Sequence, residues 1–332
     1  MKSITTFLFI SFYGVFGRII FGMIPSFEVM GIGVLLIAPF VLGFLTNVFT
    51  AKKLKFASST QAFFRPWISC VLILFITMAF NIEGSICWIM IFPFFAISAG
   101  IGGVIAHHMI IKKRTKTQKN NDETIDDDFN SNNSLKISVS MMFLPFLFAA
   151  IEKDYTLSKK EITNTHEIVI DANSKEVWDE LTTKEIEVSS GNYTWTNLIF
   201  NFPKHINTTI DSLSVGGKRT AYYERGLQFE EEILTIEPHK KLVLGFDINP
   251  SEIPTGIMDE HIVLGGKYAD INKDTYELTP LENGKTLVRL TSEYFINTSI
   301  NWYAQLWSDW VISSILNNEL SILKTKVENA RS

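Results

Sequence analysis

The residues best equipped for chemistry lie in the second half of the chain. His261 stands in the run MDEHIVLGGKY beside Asp259 and Glu260. An imidazole next to carboxylates can act as a general base, as a metal ligand, or as a hydrogen-bonded structural residue in a cavity wall. A metal would find no second histidine at ligand spacing. The chain also has no cysteine cluster, no serine nucleophile elbow and no glycine-rich phosphate loop, so no metal and no cofactor is expected. A second set is Arg219, Tyr223, Glu230, Tyr268, Ser292 and Tyr294. On strands, Arg219 and Tyr223 share a face, as do Ser292 and Tyr294. A buried arginine near a glutamate can anchor a carboxylate or phosphate head group, whereas the same arginine on the surface is a solvated charge of little energetic weight. The third set is Trp302, Leu306 and Trp310, with Tyr303 and Trp307 between them and the small pair Ser313 and Ser314 after them. Large side chains followed by small ones either leave room for an apolar ligand or are ordinary core anchors.

The elements that must position these residues follow from periodicity. His166 to Ile170 reads as a strand, and Ser174 offers an N-cap before a short helix with Val177, Trp178 and Leu181 on one face. Strand patterns cover Lys218 to Glu224, Leu227 to Ile236, Lys241 to Ile248, Thr275 to Leu281 and Lys285 to Phe295. Turn residues separate them at Glu237-Pro238 and Glu282-Asn283-Gly284. Asn301 to Asn329 reads as one long amphipathic helix, with Leu316, Leu320, Leu323 and Val327 in phase. Residues 160–330 are therefore expected to form an α+β domain, a curved antiparallel sheet wrapping a long C-terminal helix.

The first half is of another kind. The 332 residues are 46% hydrophobic and carry a net charge of −5, and their mean hydropathy of +0.16 is high for a wholly soluble chain. Residues 1–151 carry a net charge of +5 and residues 152–332 one of −10. The acidic half argues against nucleic acid as a partner. Four apolar runs, Ile4 to Ile24, Val29 to Phe49, Trp67 to Ile82 and Ser85 to Ile111, approach or exceed the length needed to cross a bilayer. They predict four transmembrane helices within residues 1–112. Lys52, Lys53, Lys55 and Arg65 follow the second run, and Lys112, Lys113, Arg114, Lys116 and Lys119 follow the fourth. By the positive-inside rule the N-terminus and both basic loops are cytoplasmic. Residues 113–134 read as a disordered polar linker. Residues 135–152, with Pro145 inside them, read as a fifth span or a membrane-associated segment. If they span, the C-terminal domain is extracytoplasmic. Arg18, set within the first run, has Glu28 or Glu83 as its candidate partner, and the glycines Gly14, Gly17, Gly100, Gly102 and Gly103 are expected to permit close helix packing.

The runs VIDANSKEVWDELT, GGKRTAYYERGLQFEEEILTIEP, YELTPLENGKTLVRLTSEY and NWYAQLWSDW, in that order, resemble the SRPBCC superfamily, the START-like, helix-grip group that includes polyketide cyclase-like and lipid-transfer proteins. The whole chain looks like bacterial membrane proteins that carry such a domain after several transmembrane helices. The resemblance implies an apolar cavity between sheet and terminal helix for a hydrophobic or amphipathic small molecule or lipid, and a place in the bacterial inner membrane. It does not imply one activity. The leading expectation is membrane-anchored ligand binding with the bilayer as partner. The alternatives are a cyclase- or hydrolase-like enzyme and a structural or sensory protein without a ligand. The oligomeric state is not set by the sequence.

Overall fold

The structure is a computed structural model. It describes residues 2–24, 31–50, 58–80, 82–83, 85–119, 132–152, 157–183, 185–187, 203–254, 257 and 263–330. The chain divides into two compact units, Met1–Leu157 and Ser158–Ser332.

The first unit is helical: α1 (Lys2–Met23), a π-helical turn Gly33–Ile37 leading into α2 (Ala38–Phe49), α3 (Ser59–Phe64), α4 (Trp67–Ala79), α5 (Ser85–Lys119) and α6 (Asn132–Glu152). Three stretches, Ile4–Met23, Ser59–Ala79 and Cys87–Lys112, are long and apolar enough to cross a membrane, and Gly33–Phe49 is a shorter apolar helix. α5 continues seven residues past position 112, where the sequence reading ended the fourth apolar segment. Glycine decides how closely α2 and α5 pack. A Cβ on Gly43 would lie 1.8 Å from the Ala99 carbonyl oxygen, and one on Gly102 2.0 Å from that of Phe40, so only glycine permits these backbones to touch.

Polar groups buried in this apolar unit find specific partners. Asn47, wholly buried, donates from Nδ2 to the carbonyls of Ala62 and Gly103 at 2.7 and 2.8 Å, tying α2 to α3 and α5. Arg18 pairs with Glu83, one of its two candidate partners, and both are largely buried. Glu28 lies outside the described residues. α6 is helical through Pro145 and lies alongside α1 in the same direction. Tyr13 donates to the Met142 carbonyl at 2.6 Å, and Phe21 stacks on Phe146. At its end, the Glu152 carboxylate accepts from the backbone N–H groups of Ile32 and Gly33 at 2.7 and 2.9 Å, capping the start of the second helix from 119 residues away. Glu152→Ala is therefore expected to lower the stability of this unit by about 1 kcal/mol, seen as a reduced Tm of the full chain in detergent.

The second unit begins with β1 (Lys160–Ile170) and α7 (Ser174–Leu181). It continues through β2 (Glu185–Glu187), β3 (His205–Ile210), β4 (Lys218–Tyr223), β5 (Gln228–Glu237), β6 (Lys241–Phe246), β7 (Ala269–Pro280) and β8 (Thr286–Ile296), and ends in α8 (Asn301–Ala330). The strands form one antiparallel sheet in the order β1-β8-β7-β6-β5-β4-β3-β2. Register shifts in β3, β5 and β7 mark bulges, which bend strands. The cap of α7 is Asn173, not Ser174: its side chain accepts from the N–H groups of Lys175 and Glu176, and Glu176 reaches back to the Asn173 N–H.

The core lies toward one end of α8. Ile170, Val177, Trp178, Leu181, Ile233, Leu242, Leu244, Leu278, Val288 and Leu290 close on Leu316, Leu320, Leu323 and Val327. These helix residues recur at intervals of four, three and four, so they share one face. Residues 301–315, the first half of the helix, include no fully buried side chain. Opposite that half the sheet presents Ile162, Tyr294 and Ile296, against which Ala304 and Ile312 pack, with Asn164 and the Tyr294 hydroxyl making polar contacts to the helix.

Candidate functional site

Alternation along the strands sets which side chains face α8. On β4, Arg219 and Ala221 are buried while Lys218 is exposed. On β5, Phe229, Glu231 and Ile233 alternate inward. On β7, Tyr276 and Leu278 face in, and the same period brings Asp274 to their face. On β8 it is Val288, Leu290, Ser292, Tyr294 and Ile296. The interior thus holds an ionisable cluster contributed by β3, β4, β5, β7 and α8.

Its geometry is closely specified. Arg219 Nη1 donates to Glu231 Oε2 at 2.8 Å, with the two side chains 6% and 9% exposed. His205 Nε2 lies 2.7 Å from Thr208 Oγ1, and its Nδ1 lies 3.3 Å from Glu319 Oε1 on α8. The His205 ring stacks on Tyr223 at 5.1 Å, and Tyr223 meets Phe229 edge to face. Asp274 is opposite Ser292 in the β7–β8 register and takes a hydrogen bond from it. One strand further on, Asn164 donates to the Asp309 carbonyl and to Ser313 Oγ at 3.2 and 3.0 Å. Tyr294 donates its hydroxyl to Asp309 Oδ1 at 2.8 Å. Three buried atoms of the cluster, His205 Nδ1, Arg219 Nε and Asp274 Oδ1, have no hydrogen-bond partner among the described residues, and of these His205 Nδ1 still faces the Glu319 carboxylate.

Burial and charge set the protonation of the cluster. Burial opposes the charge of Arg219, but Glu231 together with Tyr276, Glu319 and Tyr223 outweighs it and holds the guanidinium firmly protonated. Burial raises the Glu231 carboxyl against the pull of Arg219. Glu319 goes the other way: burial pushes it up, but His205 and then Arg219 outweigh that and leave it below the ordinary value. Asp274 has no cation in contact. Burial pushes it up to about 7, against the Ser292 hydrogen bond. Burial also raises the phenols of Tyr223 and Tyr276, which therefore stay neutral.

Of the residues singled out in the sequence, Arg219, Tyr223, Ser292 and Tyr294 face this interior. Glu230 does not. Phe229 and Ile233 point inward, so the residue between them that joins the site is Glu231, while Glu230 is exposed and pairs with Lys218 at 3.2 Å. Trp302, Leu306 and Trp310 do not line it either, being 63%, 63% and 41% exposed. Each step of four residues rotates about 40° around a helix, which carries that row away from the face set by Leu316 and Leu320. Tyr268 precedes β7, with Lys267 Nζ 5.7 Å from its ring centroid. His261 lies outside the described residues. His205, Glu231, Asp274, Tyr276 and Glu319 were missed. For three of them the signal was present: Glu231 alternates with Phe229 and Ile233, and Asp274 and Tyr276 alternate with Leu278. Among the described residues no group of three or more His, Cys, Asp or Glu is arranged to hold a metal ion.

The C-terminal unit has the helix-grip arrangement. No family model matches the chain, and no curated protein matches it. Solved structures with a related chain path include a norcoclaurine synthase point mutant from Thalictrum flavum in complex with a transition-state analogue. It is 14% identical over 53% of this chain and 99% of its own, with a TM-score of 0.34. Protein MLL2253 from Mesorhizobium loti is 16% identical over 52% and 99%, with a TM-score of 0.31. The Aha1 dimer from Colwellia psychrerythraea is 17% identical over 49% and 98%, with a TM-score of 0.27. At these values the likeness assigns no activity.

Proposed function

We propose that this chain is a membrane-anchored binding protein whose helix-grip unit takes up an amphipathic small molecule or lipid between its sheet and α8. The observation that carries this reading is the set of buried polar atoms without hydrogen-bond partners on the inward face of the sheet, Arg219 Nε and Asp274 Oδ1 among them. Buried polar groups are ordinarily satisfied, and binding sites combine an apolar wall with a few placed polar groups. The apolar wall here is the adjoining core around Leu244, Ile233 and Leu316.

The anchoring part of the reading is supported by helix lengths and directions. α6 has 21 residues, or about 31 Å at 1.5 Å per residue, although its first turn is polar and it is not among the three stretches both long and apolar enough to cross a membrane. It runs parallel to α1, and its last residue caps the start of the second helix. With the basic loops held inside, five spans put the C-terminal unit outside the cytoplasm, where it samples lipids of the adjacent leaflet. A reporter fused after Lys153 and another at the C-terminus would test this, and cytoplasmic signal from both would refute it.

Binding is tested by extracting the purified full chain and identifying co-purifying lipid by mass spectrometry. Ser313 bridges to Asn164 on the inward face, and Ser313→Leu places an isopropyl group where a hydroxyl stood. This variant is expected to lose at least half of the bound lipid while remaining folded. Undiminished lipid content would count against the site.

One observation favours a second reading, an enzyme. A carboxyl raised to about 7 by burial is suited to proton transfer at neutral pH. Turnover of the bound molecule by the wild-type chain, abolished in Asp274→Asn, would establish it over simple binding.

A further inference from the structure

Resting on the reading of this interior as a ligand site, we propose that the head of the bound molecule is a hydrogen-bond-donating cation, an amine or amino alcohol, with Asp274 as its counter-ion. Anionic heads are disfavoured. This reverses the role that a buried arginine suggests at first sight.

The argument is an inventory of charges facing one another. The interior receives carboxyl groups from Glu231, Asp274, Glu319 and Asp309, against the guanidinium of Arg219 and the imidazole of His205. Arg219 is already committed to Glu231 at 2.8 Å, and His205 faces Glu319 at 3.3 Å. The Asp309 side chain accepts from the Tyr294 hydroxyl. Asp274 has only Ser292, a neutral donor, and its Oδ1 is buried with no partner. A phosphate or carboxylate entering here would meet several like charges at short range and find one arginine already paired, and like-charge contact in a desolvated site is a strong exclusion. An ammonium group meets the reverse situation. It gives Asp274 the cation that it lacks, and the π-faces of Tyr223 and Tyr276 on the same inward surface suit a cation further. Of the other two partnerless atoms, His205 Nδ1 faces Glu319, and Arg219 Nε is a donor on a side chain only 5% exposed. A hydroxyl carried by the same molecule would accept from Nε, so an amino alcohol suits both Asp274 Oδ1 and Arg219 Nε.

The test uses the full chain in phosphatidylcholine nanodiscs, titrated calorimetrically with octylamine, octanol and octyl phosphate after subtraction of empty nanodiscs. Octylamine is expected to bind at least about tenfold tighter than octyl phosphate. In Asp274→Asn that preference should vanish, and an unchanged near-ultraviolet circular dichroism spectrum shows that the variant is folded. Octyl phosphate binding as tightly as octylamine, or an undiminished preference in the variant, would overturn the assignment of the head group and leave the binding site standing. Failure of all three alkyl probes to bind would overturn the ligand site itself, and the proposal with it.

Discussion

Replacing Arg219 by methionine is expected to cost the C-terminal unit about 3 to 5 kcal/mol at neutral pH, the usual loss when one partner of a buried ion pair is removed. The side chain is 6% exposed and donates to a glutamate that is 9% exposed, so neither charge has water to fall back on. Its charge also holds Glu319 below its ordinary value, after His205. Without it Glu231 must either remain an uncompensated anion or take up a proton, a step that burial already favours. The loss should therefore shrink toward pH 5. The double variant Arg219→Met/Glu231→Leu removes both charges and should recover most of the loss, because the attraction within a buried pair roughly repays its desolvation and little more. Urea unfolding of the full chain in nanodiscs, followed by the fluorescence of the buried core residue Trp178, measures all three. A double variant no more stable than Arg219→Met would show that Glu231 is not what the arginine compensates.

Much of the frame of this domain is legible in the sequence, because single strands and helices announce themselves locally. The period-two runs Leu242–Leu244–Phe246 and Val288–Leu290–Ser292 give strands whose inward faces are those observed, and the spacing of Leu316, Leu320, Leu323 and Val327 gives the buried face of α8. What local pattern does not give is partnership. β1 begins six residues before its recognisable apolar stretch, since those residues become strand only by pairing with β8. The same holds for the site. Arg219 and Tyr223 share the inward face that period two gives them, whereas the alternation set by Phe229 turns Glu231 inward and Glu230 outward. Glu319 and His205 could not be joined from sequence at all, lying 114 positions apart and meeting only when α8 lies across the sheet. The tryptophans illustrate the opposite error: composition alone suggested a cavity wall, and helix phase turns them outward.

The stability of the same domain should fall as pH rises from about 5 to 8, with Asp274 responsible. Its carboxyl titrates at about 7 in the folded state against an ordinary 3.8. Between those values the folded chain holds a proton that the unfolded chain has released. Folding is then favoured on the acid side, and the advantage is lost as pH climbs through 7. At about 1.4 kcal/mol per pKa unit the ceiling is roughly 4 kcal/mol. Asp274 is not wholly shielded from solvent, so a loss of about 2 kcal/mol is expected. Glu319 acts in the opposite sense: its lowered value supplies stability that is present above the ordinary carboxylate range and is lost as pH falls through its folded-state value, so its contribution stays constant over the descent assigned to Asp274 above that range. Other groups face the same space, namely His166 on β1, His205 on β3, Arg219 and Tyr223 on β4, Glu231 on β5, Tyr276 on β7, Tyr294 on β8 and Asp309 on α8. The measurement is therefore a difference between wild type and Asp274→Asn, with urea midpoints taken at each pH. Asparagine keeps the shape and cannot ionise, so its curve should stay flat where that of the wild type descends, and the variant should be the more stable protein at pH 8. Equal slopes in the two proteins would assign the descent to Glu231, whose carboxyl is also raised by burial. Octylamine added at pH 8 should restore the lost stability in the wild type alone, because an ammonium beside Asp274 offsets the penalty that burial imposes on its charge.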